Sequence, residues 1–521
     1  MDAEVPVLIV GGGPVGLTAR ALLERWGVRT LLVEKRRELS PFPRSRLVNV
    51  RSMEIFRQLG LAEAITARAF APEYGRIRLR DTLFDGDFAT DAMAGINAPI
   101  PESPVIGALT SQDRLEPTLL AAADAQVLFG AELVELRQEP DGLVTAVLAD
   151  RHGGGKARVR ARYLLAADGA NSTVRHRLGI DTTGPGALRS FTTVVFDADL
   201  DGWSARQPAG VYATAHGSFL PLYPEGGWAW LVPTPDDPDR ADWPGLVSRA
   251  LGDATMHPEV LRVQHWMVNA FVAERFGHGR VLLAGDAAHA IPPSGGLGMN
   301  VGLADAHNLC WKLAGVLNGW AGPDLLKTYE TERQPVAHLN LRQAVANSQL
   351  WVQAQNRRQE QLRNGGATQV ELPWSQRYFA QLGLVLGVAY RSTAVLTDDD
   401  TPPQDDQGTD YVPTAAPGHR MPHLWLTDGE STLDTLGEWF TLLTPDPAYW
   451  ERLTTPPWPL RIEALPEALG CGPHGAFLVR PDGHIGARWR DRPPHRGALH
   501  DALTAITRAT GGWSAPPAGT P

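Results

Sequence analysis

The strongest constraint on this chain lies near its start. Val5 to Val10 is an uninterrupted apolar strand, and Gly11-Gly12-Gly13-Pro14-Val15-Gly16 follows without a spacer. A strand that passes at once into a helix needs glycine there, because glycine closes the turn and leaves bare backbone N–H groups at the helix N-terminus. Leu17 to Trp26 reads as that helix, stopped by Gly27, and Val28 to Val33 as a second strand ending on Glu34. In this setting the glycines admit a pyrophosphate and the carboxylate takes ribose hydroxyls. The chain is therefore predicted to open with an α/β unit that binds a dinucleotide. A glycine turn in some other βαβ unit is the plainer alternative, since GxGxxG alone is common by chance.

A second stretch, Gly279 to Lys312, repeats the logic. Val281 to Ala284 is a short buried-strand pattern, Gly285 lets it turn, and Asp286 sits at its carboxyl end. Gly295, Gly296 and Gly298 leave backbone exposed before a helix from about Met299. An anionic acceptor beside bare N–H groups suits a ligand that offers sugar hydroxyls and polar ring atoms. Two weaker features lie between. Arg44, in the loop Ser40 to Arg46, is either solvated or set against a pyrophosphate or ribityl chain. Asp168-Gly169 ends the strand Ala157 to Ala166 and precedes a Ser172 helix cap.

Composition narrows the classes of function. With 521 residues, two or three domains are expected. A net charge of −10 without a basic block argues against nucleic acid or an anionic membrane as partner. The start lacks a signal pattern, and no stretch of roughly 18 apolar residues occurs, so a soluble cytoplasmic protein is expected. Cys310 and Cys471 stand alone, which supports neither a disulfide framework nor a dithiol centre. His419 and His423 are four apart but in a Pro/Gly-rich loop, so no metal site is expected.

Glu73 to Ser103 and Phe191 to Glu274 alternate polar and apolar residues as antiparallel sheet does. Phe219, Trp228 and Trp230 are its most aromatic points and read equally as core or as the wall of an aromatic substrate's pocket. Helical pattern runs from Ala304 to about Leu362, with interruptions near Gly319 and Pro335. An acidic, proline-bearing linker, Thr397 to Asp410, precedes a small α/β tail closed by a helix over Ala498 to Thr507.

Three motifs now align with one family. The Gly11 to Gly16 unit with Glu34, the Asp168-Gly169 turn, and Gly285-Asp286 with the Pro292 to Asn300 loop resemble the FAD-dependent aromatic hydroxylases, the para-hydroxybenzoate hydroxylase-like flavin monooxygenases. The tail is similar to the thioredoxin-like domain of phenol and aromatic polyketide hydroxylases, without redox cysteines. The resemblance implies an α/β architecture: a Rossmann-like FAD-binding domain over 1–72, 104–180 and 275–396, an inserted antiparallel-sheet substrate domain over 73–103 and 181–274, and the thioredoxin-like domain over 411–521. Gly11, Gly13, Val15 and Gly16 would hold the FAD pyrophosphate, and Glu34, followed by Lys35, the adenosine ribose. Arg44 and Gln112 would take the flavin side, Asp286 the ribityl hydroxyls, and Gly298 and Met299 the pyrimidine end of the ring. Pro293 would sit near the reactive flavin carbon and the substrate, with Phe219, Trp228 and Trp230 as substrate wall.

The implied reaction is hydride transfer from NADPH or NADH to FAD, then O2 addition to a flavin hydroperoxide that hydroxylates a phenolic or polycyclic, polyketide-type aromatic. The protein would act as a monomer or homodimer. No catalytic base is assigned, although His216, Tyr223 and His265 are candidates. Baeyer-Villiger or ring-cleaving oxygenation uses the same cofactor, and a flavin-bound scaffold without turnover is a third reading. Gly227 to Pro233 is similar to the WxWxIP motif of flavin halogenases, but the stretch Arg36 to Gly155 contains no lysine for hypohalous acid, which argues against that chemistry.

Overall fold

Strand Asp2–Val10 is the axis of the first sheet, and its second half, Val7 to Val10, is buried on both faces as parallel strands flanked by helices are. The computed structural model describes residues 2–398 apart from 152, 254 and 364–380, and residues 411–508 apart from 428, 454–457 and 466–468. Most of the acidic linker lies outside the described residues. Asp2–Val10 pairs in parallel with Thr30–Glu34 on one side and Lys156–Ala166 on the other, and Lys156–Ala166 pairs in parallel with Val281–Leu283. The hairpin Ala131–Gln138 and Val144–Asp150 pairs onto the first half of Lys156–Ala166. Helices Pro14–Arg25 and Gly298–Asn318 contribute Leu17, Leu22, Leu303 and Leu309 to the same core.

The second sheet has eight strands, with Thr182–Asp197 and Glu259–Ala273 as its long members. Arg76–Leu79 and Ala89–Ala92 complete one edge of it rather than forming a small sheet of their own. Their attachment, Val211–Ala213 against Ile77–Leu79, is the one parallel pairing in an otherwise antiparallel array. The other edge is His289–Ala290, which pairs with Phe271 and Val272 three residues after Asp286. That strand ties the second sheet directly to the turn of the first.

Helix Gly298–Asn318 ends at Gly319, whose φ of 86° is left-handed, as the glycine stop predicts. The expected interruption at Pro335 does not occur: helix Lys327–Arg363 runs through it. A proline inside a helix costs about 3 kcal/mol. Here Glu332 and Arg333, on the turn before it, are locked by buried ion pairs that keep the helix in place. The C-terminal region forms a four-stranded sheet in which Phe440–Thr444 lies parallel to Leu460–Ala464 and antiparallel to Ala476–Val479, with Ile485–Trp489 beyond. Its core merges with the first domain, since Phe440, Leu442 and Leu503 pack in one cluster with Trp311, Trp320 and Leu325. Among the described residues no helix is long and apolar enough to cross a membrane.

Candidate active site

The parallel register brings the sequence motifs to one edge. Val10 is level with Val33 and with Ala166, and Ala166 with Leu283. Gly11, Glu34, Asp168 and Gly285 therefore follow neighbouring strand ends, the carboxyl edge where α/β sheets bind ligands.

The glycines differ in what they do. A Cβ on Gly16 would fall 2.0 Å from the Gly11 carbonyl oxygen, and one on Gly11 2.2 Å from that of Ala167, so both are required by close backbone approach. A Cβ on Gly13 would meet nothing within 4 Å. Gly13 caps helix Pro14–Arg25 without any side-chain cap, and the space in front of it is open, as a pyrophosphate needs. The Gly12 N–H donates to Glu34 Oε2 at 2.8 Å and the Arg36 N–H to Oε1 at 2.9 Å, which fixes the carboxylate while leaving lone pairs for ribose hydroxyls. Val15 packs against Gly285, where a Cβ would come within 2.8 Å of its Cγ2.

Asp286 is exposed by accessible area yet closely surrounded. Burial raises its pKa, opposed by the charges of His289 and Arg44. The two observations agree if it lines the floor of an open cleft, and its carboxylate makes no hydrogen bond among the described residues. Asp168 is partly bonded: Val174 N–H donates to Oδ2 at 3.1 Å, Oδ1 has no partner of hydrogen-bond geometry, and burial raises the pKa against the opposing pull of Ser172 and the backbone of the following turn. Arg175 ties the two turns, donating to the carbonyls of Ala170 and Ala287. Unpaired acceptors and an open glycine cradle on one sheet edge fit a dinucleotide such as FAD.

Arg44 is exposed, and the charges of Glu116, Asp286 and Glu34 all act on it, which places it over the same cleft. Gln112 donates to Glu116 Oε1 at 2.6 Å. Gly298 and Met299 open helix Gly298–Asn318, whose first turn has no side-chain cap. Pro293 is exposed in the loop that precedes them. Lys35 lines a cleft of ≈ 540 Å³ with Arg36, Arg44, Arg151 and Gln264, a cationic wall running from the end of strand Thr30–Glu34 to the second sheet.

Phe219, Trp228 and Trp230 are 0%, 1% and 3% exposed and pack with Tyr212, Phe196 and Trp243 on the sheet face covered by helix Trp243–Leu251. Of the two readings held open above, the packing matches core. The opposite face carries Leu220, Ala229 and Leu231. Ala229 and Leu231 are level with Val195 and Thr193, which in turn are level with Arg262 and Gln264. Arg262 donates to the Pro41 carbonyl at 2.6 Å and Gln264 lines the cationic cleft, so this aliphatic face looks toward the loop of Arg44. His216 is exposed at a turn. His265 accompanies Trp243 and Thr192 on the core side. The Tyr223 hydroxyl donates to Asp113 at 2.6 Å, and burial followed by that bond pushes its pKa up, which unsuits it as a base.

Three contributors were missed by sequence reading. Asn300 donates to the carbonyls of Leu47 and Gly296 and accepts from Asn49 N–H, clamping the loop that follows Arg44 to the glycine loop. Arg46 ties the loop that follows Arg44 to the second sheet by donating to the Gly210 and Pro221 carbonyls. Asp305, buried beneath the Asp286 turn, accepts from Gly285 N–H. Asn300 stands in the first turn of helix Gly298–Asn318, directly after the glycine loop, and Arg46 two residues after Arg44, so motif proximity could have flagged both. Asp305 carries no local signal. Among the described residues no group of His, Cys, Asp and Glu could hold a metal.

Comparison with known proteins follows this geometry. Residues 4–344 match a family described as FAD binding domain, and residues 414–509 one described as aromatic-ring hydroxylase, C-terminal. The chain is 36% identical to aklavinone 12-hydroxylase RdmE of Streptomyces purpurascens over 94% of this chain and 96% of that protein. It is 34% identical to 4-methyl-5-nitrocatechol 5-monooxygenase of a Burkholderia species, over 97% and 98%. Among solved structures, aklavinone-11 hydroxylase with FAD and aklavinone superposes with a TM-score of 0.83 at 34% identity, covering 98% of this chain and all of that one.

Proposed function

The chain belongs to the FAD-dependent aromatic-ring hydroxylases, and on that premise we propose that its substrate is a polycyclic, polyketide-type phenol rather than a single-ring one. It is an FAD-dependent, NAD(P)H-using monooxygenase. Bound FAD supplies the redox chemistry, taking hydride from the nicotinamide and activating O2 for transfer to the ring. The protein's part is positional. Gly11 to Gly16 and the bare N-terminus of helix Pro14–Arg25 would bind the pyrophosphate, Glu34 the ribose, Asp286 the ribityl chain, and the first turn of helix Gly298–Asn318 the pyrimidine end. Arg44 and the neighbouring cations would balance phosphate charge.

The observation that carries the substrate reading is the sheet face of Leu220, Ala229 and Leu231 with Val195 and Thr193. Ala229 and Val195 are buried in it while Leu220, Leu231 and Thr193 are half-buried, a mostly apolar surface suited to bordering a flat ring system and to keeping water from the reacting centre. Relatives named for aklavinone and tetracenomycin B2 support this choice, whereas 4-methyl-5-nitrocatechol 5-monooxygenase is named for a single-ring catechol, so the sheet face carries the reading. The C-terminal sheet, one parallel pair extended by an antiparallel hairpin, supports a thioredoxin-like reading of that domain. The test is NADPH and NADH oxidation by the holoenzyme on a panel of one-, two- and four-ring phenols, with product mass. A gain of one oxygen on the polycycles at higher kcat/KM is expected. Equal or better kcat/KM on single-ring phenols overturns the polycyclic assignment.

A further inference from the structure

Among the described residues Asp286 makes no hydrogen bond of its own, so the turn that carries it must fix its aim. Both flanks of that turn are bound to one carboxylate. Asp305 Oδ2 accepts from Gly285 N–H at 3.1 Å and pairs with His289 Nε2 at 2.6 Å. Its Oδ1 accepts from Arg333 Nε at 2.7 Å. Arg333 then donates to the Val301 carbonyl at 3.0 Å and to the Tyr390 hydroxyl at 3.1 Å. Tyr390 is gripped by the C-terminal domain: its ring stacks on His484 with centroids 4.0 Å apart, and its N–H donates to the Gly418 carbonyl at 2.8 Å. Neighbouring Glu332 is paired with Arg480 of that domain.

Asp305, His289, Arg333 and Tyr390 are each 3% exposed or less, and Arg333 and Tyr390 edge only a small cavity of ≈ 40 Å³ beside His484. Burying a carboxylate, an imidazole and a guanidinium together is expensive, and an apolar set of the same shape often gives a more stable fold. What the polar set supplies is directionality, since hydrogen bonds fix atoms to a few tenths of an ångström where apolar packing slides.

We propose that Asp305, His289, Arg333 and Tyr390 are positioning residues forming a relay through which the C-terminal domain sets the aim of Asp286 and so tightens FAD binding from outside the cleft. The relay rests on the reading that Asp286 binds the ribityl chain. It assigns a role to a tail that has no paired cysteines and contributes none of the motifs at the cofactor edge.

The test is FAD affinity of the apo-protein, by quenching of flavin fluorescence, alongside the thermal midpoint of the same apo-protein. Four variants are compared: Asp286→Ala, Asp305→Asn, Tyr390→Phe and Asp434→Asn. Asp434 pairs with Arg57 at 2.6 Å across another part of the same domain junction and has no link to Arg333. Asp305→Asn should weaken FAD about tenfold or more, the effect of a lost hydrogen bond to a charged group. Tyr390→Phe should weaken it about threefold with an unchanged apo midpoint. Asp434→Asn should leave the dissociation constant unchanged. Wild-type FAD affinity in Tyr390→Phe overturns the relay, as does equal weakening in Asp434→Asn and Tyr390→Phe. If Asp305→Asn does not fold, the Tyr390→Phe result decides. Undiminished affinity in Asp286→Ala would instead overturn the placement of the ribityl chain, which separates failure of the relay from failure of the reading beneath it.

Discussion

The carboxylates of the cofactor cleft and those of the C-terminal junction are opposites. Asp286 and Asp168 have pKa values raised by burial; among the described residues no hydrogen bond reaches the Asp286 carboxylate, and Asp168 keeps one oxygen, Oδ1, without a partner. At the junction, burial also pushes Glu332 and Asp482 upward, but Arg480 together with Lys312 at Glu332 and His484 at Asp482 outweighs it and holds both well below the usual range. Glu332 accepts from Arg480, Lys312, Asn308 and Ser392, so its lone pairs are filled. Polar groups left unpaired mark a place that a ligand completes, and groups paired to saturation mark structure. Both regions are rich in charge, and only the state of pairing tells them apart.

The sharpest way to break this contrast is Arg480→Met. It strands two buried carboxylates, so denaturant unfolding should show a loss of about 3–5 kcal/mol. A loss below about 1 kcal/mol would mean that the junction is not the sealed ionic core described here.

Acid probes the same region. His484 is held neutral by burial, its pKa lowered to about 4, and His307 is lowered to about 3. The unfolded chain protonates these rings near 6.5, so between about pH 6.5 and 4 it binds more protons than the folded one, and stability falls as pH falls. For His484 alone the loss to pH 4 is about 3 kcal/mol. Chemical unfolding at pH 7 and pH 4.5 measures it, and a flat profile would contradict the burial of both rings.

Next comes Gly13→Ala, aimed at the cleft. The added methyl group has room in the apo-protein, whose stability should drop by at most about 1 kcal/mol through the helix cap. It occupies the space read as the pyrophosphate's, so FAD affinity should fall by about 2 kcal/mol. Normal FAD binding in this variant would move the pyrophosphate elsewhere. The smallest effect belongs to Cys471→Ser. The thiol is 7% exposed and burial pushes its pKa to about 11, so it is inert, and FAD content and turnover should not change. Loss of turnover in a folded, flavin-loaded variant would indicate thiol chemistry in the tail.

The cofactor edge was legible in the primary structure because its signals are local. An apolar run, a glycine turn and a capped helix are decided within a few residues, and strand ends at Gly11, Glu34, Asp168 and Asp286 follow from them. The closing helix Ala498–Thr507 was placed to the residue for the same reason. Side-chain phase in the second sheet was not legible. Period two says that Trp228 and Trp230 share a face, but which face meets the cofactor domain depends on a helix at 243–251 and a loop at 41–46, far away in the chain. Pro335 reads locally as a break, and the helix passes it because buried ion pairs on the preceding turn outweigh the lost hydrogen bond. Glu332 and Arg480 are 148 residues apart and meet only once the C-terminal sheet has docked on helices Gly298–Asn318 and Lys327–Arg363. The sequence alone thus determined where the backbone turns and leaves its polar groups bare, since that is short-range sterics. Which charges became partners and which stayed open for a ligand was settled by tertiary packing, because Coulombic pairing and desolvation depend on distances in space that no local pattern encodes.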